Sequence, residues 1–181
     1  VWVNPGDPFP EVVEHMKKVH DFVPHFTEIK SDVRSFVQTH GFPVDVVDTR
    51  RTAFGNYAFG PTPYKVCSRF DCCGCNLWRP MVEHIKTSGA DCVIRADRGE
   101  ERAKGIEHAD GVDYVFPIFD WDAERVKAFV RTAPAGLYEE RHELTHGSSL
   151  DCKCCTAYNT DWPSRKVYLR EKFPLLLEAQ A

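Results

Sequence analysis

Two short cysteine segments constrain this chain more than any other feature: Cys72-Cys73-Gly74-Cys75-Asn76-Leu77-Trp78-Arg79-Pro80-Met81 and Ser149-Leu150-Asp151-Cys152-Lys153-Cys154-Cys155-Thr156. They hold six of the eight cysteines. If the two segments share one task, the fold must lock the end of the chain onto its middle. Thiolates are soft ligands that select zinc or iron–sulfur centres, so a metal site is the first expectation. An even cysteine count also fits a disulfide framework. Adjacent and one-apart cysteines pair poorly with each other, however, and 181 residues can bury a core without covalent staples.

Composition narrows the class. With 43% hydrophobic and 28% charged residues the chain matches an ordinary globular protein, not a disordered one. A net charge of -4 and a pI near 6.1 give no strong nucleic-acid signal, because duplex binders carry a basic surplus. No apolar run of about eighteen residues is present, and the opening Val1-Trp2-Val3-Asn4-Pro5 lacks the basic flank and apolar length of a signal peptide. The chain therefore reads as cytoplasmic, with no membrane partner, and leaves room for an oligomer.

Along the chain, strand and helix signals alternate. Val1 to Asn4 is a strand stopped by Pro5-Gly6, and Phe9-Pro10-Glu11 opens a helix with Val12, Met16, Val19 and Val23 on one face. A strand over Phe26 to Lys30 precedes a helix from Asp32 to His40, with Ser31 as its N-cap and Gly41 as its stop. Residues 43–65 read as a long loop carrying Arg50, Arg51, Tyr57 and Tyr64. Further helices are expected over Trp78 to Ser88, Trp121 to Thr132 and Ser164 to Phe173, and strands over Asp91 to Ala96 and Val112 to Ile118. The pattern predicts an α/β fold, a largely parallel sheet flanked by helices. Residues 1–136 would form the nucleotide-binding-type part, and 137–181 a closing segment in the same globular unit. Because the first strand starts at Val1 with nothing before it, a preceding N-terminal strand is expected to be missing.

Ligands of open α/β sheets bind beyond the carboxyl ends of strands, which puts Arg95 and Arg98 where an anion would sit. A solvated charged loop is the other reading of those residues. Cys92, in an apolar run, is expected to be a core thiol. The helix that follows Cys75 is expected to lower the pKa of the neighbouring thiols through its N-terminal dipole. Spacing leaves two ligand sets open. Cys72-x2-Cys75 with Cys152-x2-Cys155 makes two knuckles of the kind that hold structural zinc, and Cys72-Cys73 with Cys152 and Cys155 suits a four-iron cluster. The eight histidines show no ligand spacing with the cysteines, although His142 and His146 lie just before the second segment.

Taken with their order and separation, these motifs resemble the sulfonucleotide reductase family, the adenylyl-sulfate and phosphoadenylyl-sulfate (APS and PAPS) reductases of the adenine nucleotide alpha-hydrolase-like superfamily. Cys72-Cys73 leading to Pro80-Met81 is similar to the family's Cys-Cys pair and Pro-Leu step, and Ser149 to Thr156 is similar to its Ser-Ile-Gly-Cys-x-x-Cys-Thr segment. Asn4-Pro5-Gly6-Asp7-Pro8-Phe9-Pro10-Glu11 resembles the second-strand loop. Val93 to Glu100 resembles the arginine-bearing strand end, and Phe116 to Trp121 the Pro-Ile-x-x-Trp opening of a late helix. The resemblance implies a [4Fe-4S] cluster on Cys72, Cys73, Cys152 and Cys155, with zinc as the alternative. It also implies a nucleotide and sulfate site involving Gly6, Arg95 and Arg98, an adenine sulfonucleotide or ATP as substrate, and a thioredoxin-like reductant.

The chain also departs from the family pattern. The Ser-Gly-Gly-x-Asp-Ser phosphate loop does not occur in these 181 residues, no cysteine follows Cys155, and Leu77 stands where the family usually has lysine, with Arg79 the nearest cation. Cys67, Cys75 and Cys154 are additional thiols. No catalytic residue is assigned on this basis. A sulfurtransferase of the same superfamily that uses ATP, and a catalytically degenerate, metal-stapled binding module, remain as alternative readings.

Overall fold

Strand β1 (Trp2–Asn4) ends where Pro5 removes a donor and Gly6 turns the chain at φ +89. A side chain at Gly6 would meet the Ser31 carbonyl oxygen at 2.7 Å, so the turn needs glycine for its contact as well as for its dihedral. Helix α1 (Pro10–Phe22) starts with proline in its first turn and Glu11 near its positive end. Strand β2 (Glu28–Lys30) then returns to pair with β1 in parallel, Val3 opposite Ile29.

The structure, a computed structural model, describes residues 1–44, 53–61, 65–101, 106–134, 137, 150–157, 159 and 163–180. Arg50, Arg51, Tyr64, His142, His146 and Ser149 lie outside the described residues.

Helix α2 (Val33–His40) is capped by Asp32, whose carboxylate accepts from the Ser35 amide at 3.0 Å and the Ser35 hydroxyl at 2.7 Å. The expected cap, Ser31, instead donates to the Asn76 carbonyl at 2.6 Å. Aspartate is as good a cap as serine, and a cap at position 32 releases the serine for a long-range bond. Gly41 ends the helix at φ +90, and any side chain there would run into the Lys65 backbone. That close approach starts a second parallel pair, β3 (Phe42–Val44) with β4 (Val66–Ser68), in which Pro43 faces Cys67. The stretch expected to be one long loop thus carries a strand at each end and helix α3 (Ala53–Phe59) between them. Proline in β3 and the run of glycines hid them from pattern reading.

Helix α4 (Arg69–Cys73), capped by the Ser68 hydroxyl, passes straight into a π turn (Gly74–Trp78) and then into helix α5 (Arg79–Ser88). Strands β5 (Cys92–Ile94), β6 (Ile106–Ala109) and β7 (Val112–Val115) form a three-stranded sheet in the order β5-β7-β6. β5 and β7 are parallel, whereas β6 and β7 are antiparallel. The hairpin joining these last two turns at Asp110 and Gly111, both at positive φ, the signature of a two-residue primed turn. Helix α6 (Ala123–Val130) is capped by Asp122, and helices α7 (Pro163–Lys172) and α8 (Pro174–Ala179) close the chain.

The architecture is mixed α/β with small sheets. It divides into two compact units, one of Val1–Pro80 with Glu139–Ala181 and the other of Met81–Tyr138. In the first unit Phe9, Tyr168 and Leu169 form a buried cluster covered by Val12, Leu150, Phe173, Leu176 and Leu177. The Phe9 ring meets the Tyr168 and Phe173 rings edge-on, with centroids 6.0 and 5.1 Å apart. Edge-on aromatic pairs add to what burial alone provides. Among the described residues no helix is long and apolar enough to cross a membrane.

Candidate thiolate site

Seven of the eight cysteines belong to the first unit, drawn from two regions remote in sequence, Cys67 to Cys75 and Cys152 to Cys155. Cys67 lies on β4, where its thiol donates to the Gly41 carbonyl at 3.3 Å. Cys72 and Cys73 end α4, and Cys75 lies in the π turn. Cys152, Cys154 and Cys155 lie on the segment that leads toward α7. Cys72 and Cys155 are buried, and the other five are half-buried.

The late segment is held by backbone and side chain alike. The Phe9 amide donates to the Leu150 carbonyl at 3.1 Å and the Lys153 amide to the Asp7 carbonyl at 2.8 Å, so it lies along the loop that follows β1. The Thr156 hydroxyl donates to the Pro43 carbonyl at 2.8 Å. Because Pro43 is the cross-strand partner of Cys67, this bond brings the Cys155 end of the segment to β3 and β4. Arg165, from α7 and 0% exposed, donates from Nη2 to the Cys152 carbonyl at 3.1 Å and the Cys155 carbonyl at 3.3 Å. Its guanidinium also lies over the Phe9 ring, 5.4 Å from the centroid.

A second anchor is Asp7, 6% exposed, whose carboxylate takes Arg34 through both Nε at 3.0 Å and Nη2 at 2.6 Å, with Lys153 Nζ at 3.4 Å. Sequence reading matched Asp7 to a family loop without assigning it a task, and it assigned none to Arg34, Lys153 or Arg165 in relation to the cysteines. The available signal was an aspartate directly after a Pro-Gly turn, a place where a short carboxylate can reach neighbouring backbone and cations.

The electrostatics reverse one expectation. Burial pushes the Cys72 thiol up to about 12, with Cys67, Cys73, Cys154 and Cys155 adding repulsion between negative sulfurs. Burial likewise raises Cys67 to about 11, helped by Asp71, Cys155, Cys73 and Cys75. It raises Cys154 to about 12, helped by Asp7 and Cys155. Cys73 and Cys152 move in the same direction for the same reason. No helix starts at these thiols, because Arg69 to Ser88 is continuously helical and Cys72, Cys73 and Cys75 lie inside it, away from the unpaired amides of its first turn. Burial thus favours the neutral thiol at Cys67, Cys72, Cys73, Cys152 and Cys154.

Secondary to burial, sulfurs of each segment act on the other: Cys154 and Cys155 on Cys72, Cys155 on Cys73, and Cys72 on Cys152. Among the described residues no three histidine, cysteine, aspartate or glutamate side chains stand in metal-holding geometry. The fit to a metal or cluster therefore rests on donor chemistry: buried and half-buried sulfurs that a cation would convert to thiolates.

The remaining sequence-predicted residues fall elsewhere. Gly6 makes the turn after β1 in the first unit, next to Asp7. Arg95 and Arg98 belong to the second unit, at and beyond the carboxyl end of β5. Both guanidinium groups already face carboxylates: Arg95 takes Asp97 at 2.7 Å, and Arg98 takes Glu100 at 2.5 Å and Glu101 at 3.0 Å. Cys92 is exposed on β5, not part of a core, because β5 presents alternate residues to solvent over its three-residue length. Comparison with protein-family models and with curated proteins finds none that matches the chain.

Proposed function

We propose that the two cysteine segments form one thiolate centre holding a [4Fe-4S] cluster on Cys72, Cys73, Cys152 and Cys155. In this reading the chain acts as a sulfonucleotide reductase-like enzyme on an adenylylated sulfate. The observation that carries the proposal is that both cysteine segments lie in one compact unit, the late one tied by Thr156 to Pro43, opposite Cys67 on the strand that leads into the early one. Within the first unit, the parallel pairings of β1 with β2 and β3 with β4 support an adenine nucleotide alpha-hydrolase-like frame.

In the reaction so proposed, a thioredoxin-like dithiol supplies two electrons and is oxidised to its disulfide with loss of two protons. The sulfur–oxygen bond to the nucleotide breaks, sulfite leaves, and the adenosine phosphate is the other product. Bound at the four cysteines, the group supplies a bond-strength link between the segments. Gly6, in its turn beside Asp7, and the arginines Arg95 and Arg98 are the candidates for holding phosphate or sulfate. A second reading, a zinc-stapled binding module, is favoured by the carboxylates that already occupy both arginines.

Anaerobic absorption with iron, sulfide and zinc analysis on the chain and on Cys152→Ser tests the centre. A broad band at roughly 400 nm and about four irons per chain, lost in the variant, is the result expected of a cluster. About one zinc and no visible band would replace it with the stapled module. Sulfite release from adenylyl sulfate with thioredoxin as reductant then tests the activity; its absence from a cluster-loaded chain would overturn the reductase reading.

A further inference from the structure

Within the π turn one side chain is buried, Asn76, at 5% exposure. Its amide nitrogen donates to the Cys72 carbonyl at 2.9 Å and approaches the Cys72 sulfur at 3.8 Å. The direction of the amide follows from its neighbours: only the NH2 side can serve the Cys72 carbonyl, and it carries two hydrogens, one for each acceptor. The Asn76 main chain is fixed separately, because its carbonyl accepts from Ser31 at 2.6 Å. The bond pattern of the turn, with the Arg79 amide reaching back five residues to the Gly74 carbonyl, widens the helix just beyond Cys73. Such insertions concentrate at functional sites.

We infer that Asn76 is a positioning residue of the thiolate centre, a side-chain N–H donor that stabilises the ionised sulfur of Cys72 when a thiophilic metal is bound. The inference rests on the thiolate reading above. A neutral thiol is a weak acceptor, whereas a thiolate takes a charge-assisted hydrogen bond. The Asn76 contact therefore gains strength only in the loaded state. Hydrogen bonds to ligand sulfur are among the means by which proteins tune such centres.

The test uses Co2+ as the probe, titrated into the full chain after a chelator has removed any resident metal. Cys72→Ser, Asn76→Leu and Asn76→Asp are compared with the unsubstituted chain by their sulfur-to-cobalt absorption and by their affinity in competition with a chelator. We expect Cys72→Ser to lose part of the absorption. We expect both Asn76 variants to keep its intensity per bound cobalt, shift its energy and weaken binding about tenfold, the ordinary cost of removing an outer partner of a ligand. Binding by the Asn76 variants equal to that of the unsubstituted chain, with an unshifted band, would overturn the role of Asn76 and leave the thiolate centre standing. No sulfur-to-cobalt absorption in the unsubstituted chain would instead overturn the centre, and the inference with it. Should the Asn76 variants fail to fold, the unsubstituted chain loaded with 113Cd decides the matter. Coupling between the metal and the Asn76 side-chain amide protons supports the bond, and its absence overturns it.

Discussion

The two compact units use their charged side chains in opposite ways. In the first, polar contacts join residues far apart in sequence: Arg34 to Asp7 across 27 residues, Thr156 to the Pro43 carbonyl across 113, and Tyr168 to Glu11 across 157. In the second most are local: Arg95 to Asp97, Arg98 to Glu101 and Lys127 to Glu124 span two or three residues, and His108 to Asp113 spans only the hairpin, with the exposed pair of Lys86 and Asp110 as the exception. Long-range buried contacts fix where segments lie, whereas local exposed pairs contribute little to stability and can exchange partners at low cost. The first unit is thus arranged to hold a rigid set of sulfurs. The second presents cations that an incoming anion could claim.

Removing the buried cation of the first unit should break this contrast most severely. Arg165→Met keeps much of the volume but leaves the Cys152 and Cys155 carbonyls without their donor. We expect a loss of about 3 kcal/mol in urea unfolding, because two hydrogen bonds from a buried charged donor are lost. Asp7→Asn should follow, at about 1–2 kcal/mol, since it ends the ion pairing with Arg34 and Lys153 while much of the Arg34 side chain is already in water. If Asp7→Asn leaves the unfolding midpoint unchanged, this carboxylate is not an anchor of the late segment. Lys127→Ala, which ends the exposed pair with Glu124 in the second unit, should change stability by less than about 0.5 kcal/mol. A loss comparable to that of Arg165→Met would erase the distinction between the units.

The smallest effect is expected from pH. Hydrogen bonds from the Arg98 backbone and side chain hold Glu101 below the usual carboxylate value of 4.5. Its contribution is therefore present above the unfolded-state value and is lost as pH falls through the lower folded-state value. A carboxyl-carbon NMR titration should give a midpoint below 4.5 for Glu101, lowered less in Arg98→Ala, which loses the side-chain donor and the charge but keeps the backbone donor. Because the side chain is 46% exposed, the accompanying change in stability should be slight.

Sequence patterns revealed α1, α2, α5, α6 and α7 because each pairs a helical apolar period with a cap or stop, as at Asp122 and Gly41. The strand β6 was missed even though Asp110-Gly111 is a strong hairpin signal, because its sequence, Ile-Glu-His-Ala, offers little β-branched character. β3 and β4 were missed for a different reason: only the close approach of Gly41 to Lys65 creates the pair, and that is a long-range event. At the candidate site, cysteine spacing pointed to both segments. It could not point to Cys67, Asp7, Arg165 or Asn76, whose roles arise from where β4, the β1 loop, α7 and the π turn come together. The raised thiol pKa values were likewise illegible, since burial is a property of the fold and not of the motif.

The seating of the late cysteine segment on the Asp7 loop also has a consequence in time. A ribosome delivers Cys72, Cys73 and Cys75 first, and the segment from Cys152 to Cys155 follows roughly 75 residues later, about 4–15 s at ordinary synthesis rates. Throughout that interval the early thiols have neither the Thr156 tether nor the Arg165 clamp above them. The nascent chain therefore passes through a stage in which Cys72, Cys73 and Cys75 are accessible to oxidants and stray metal ions.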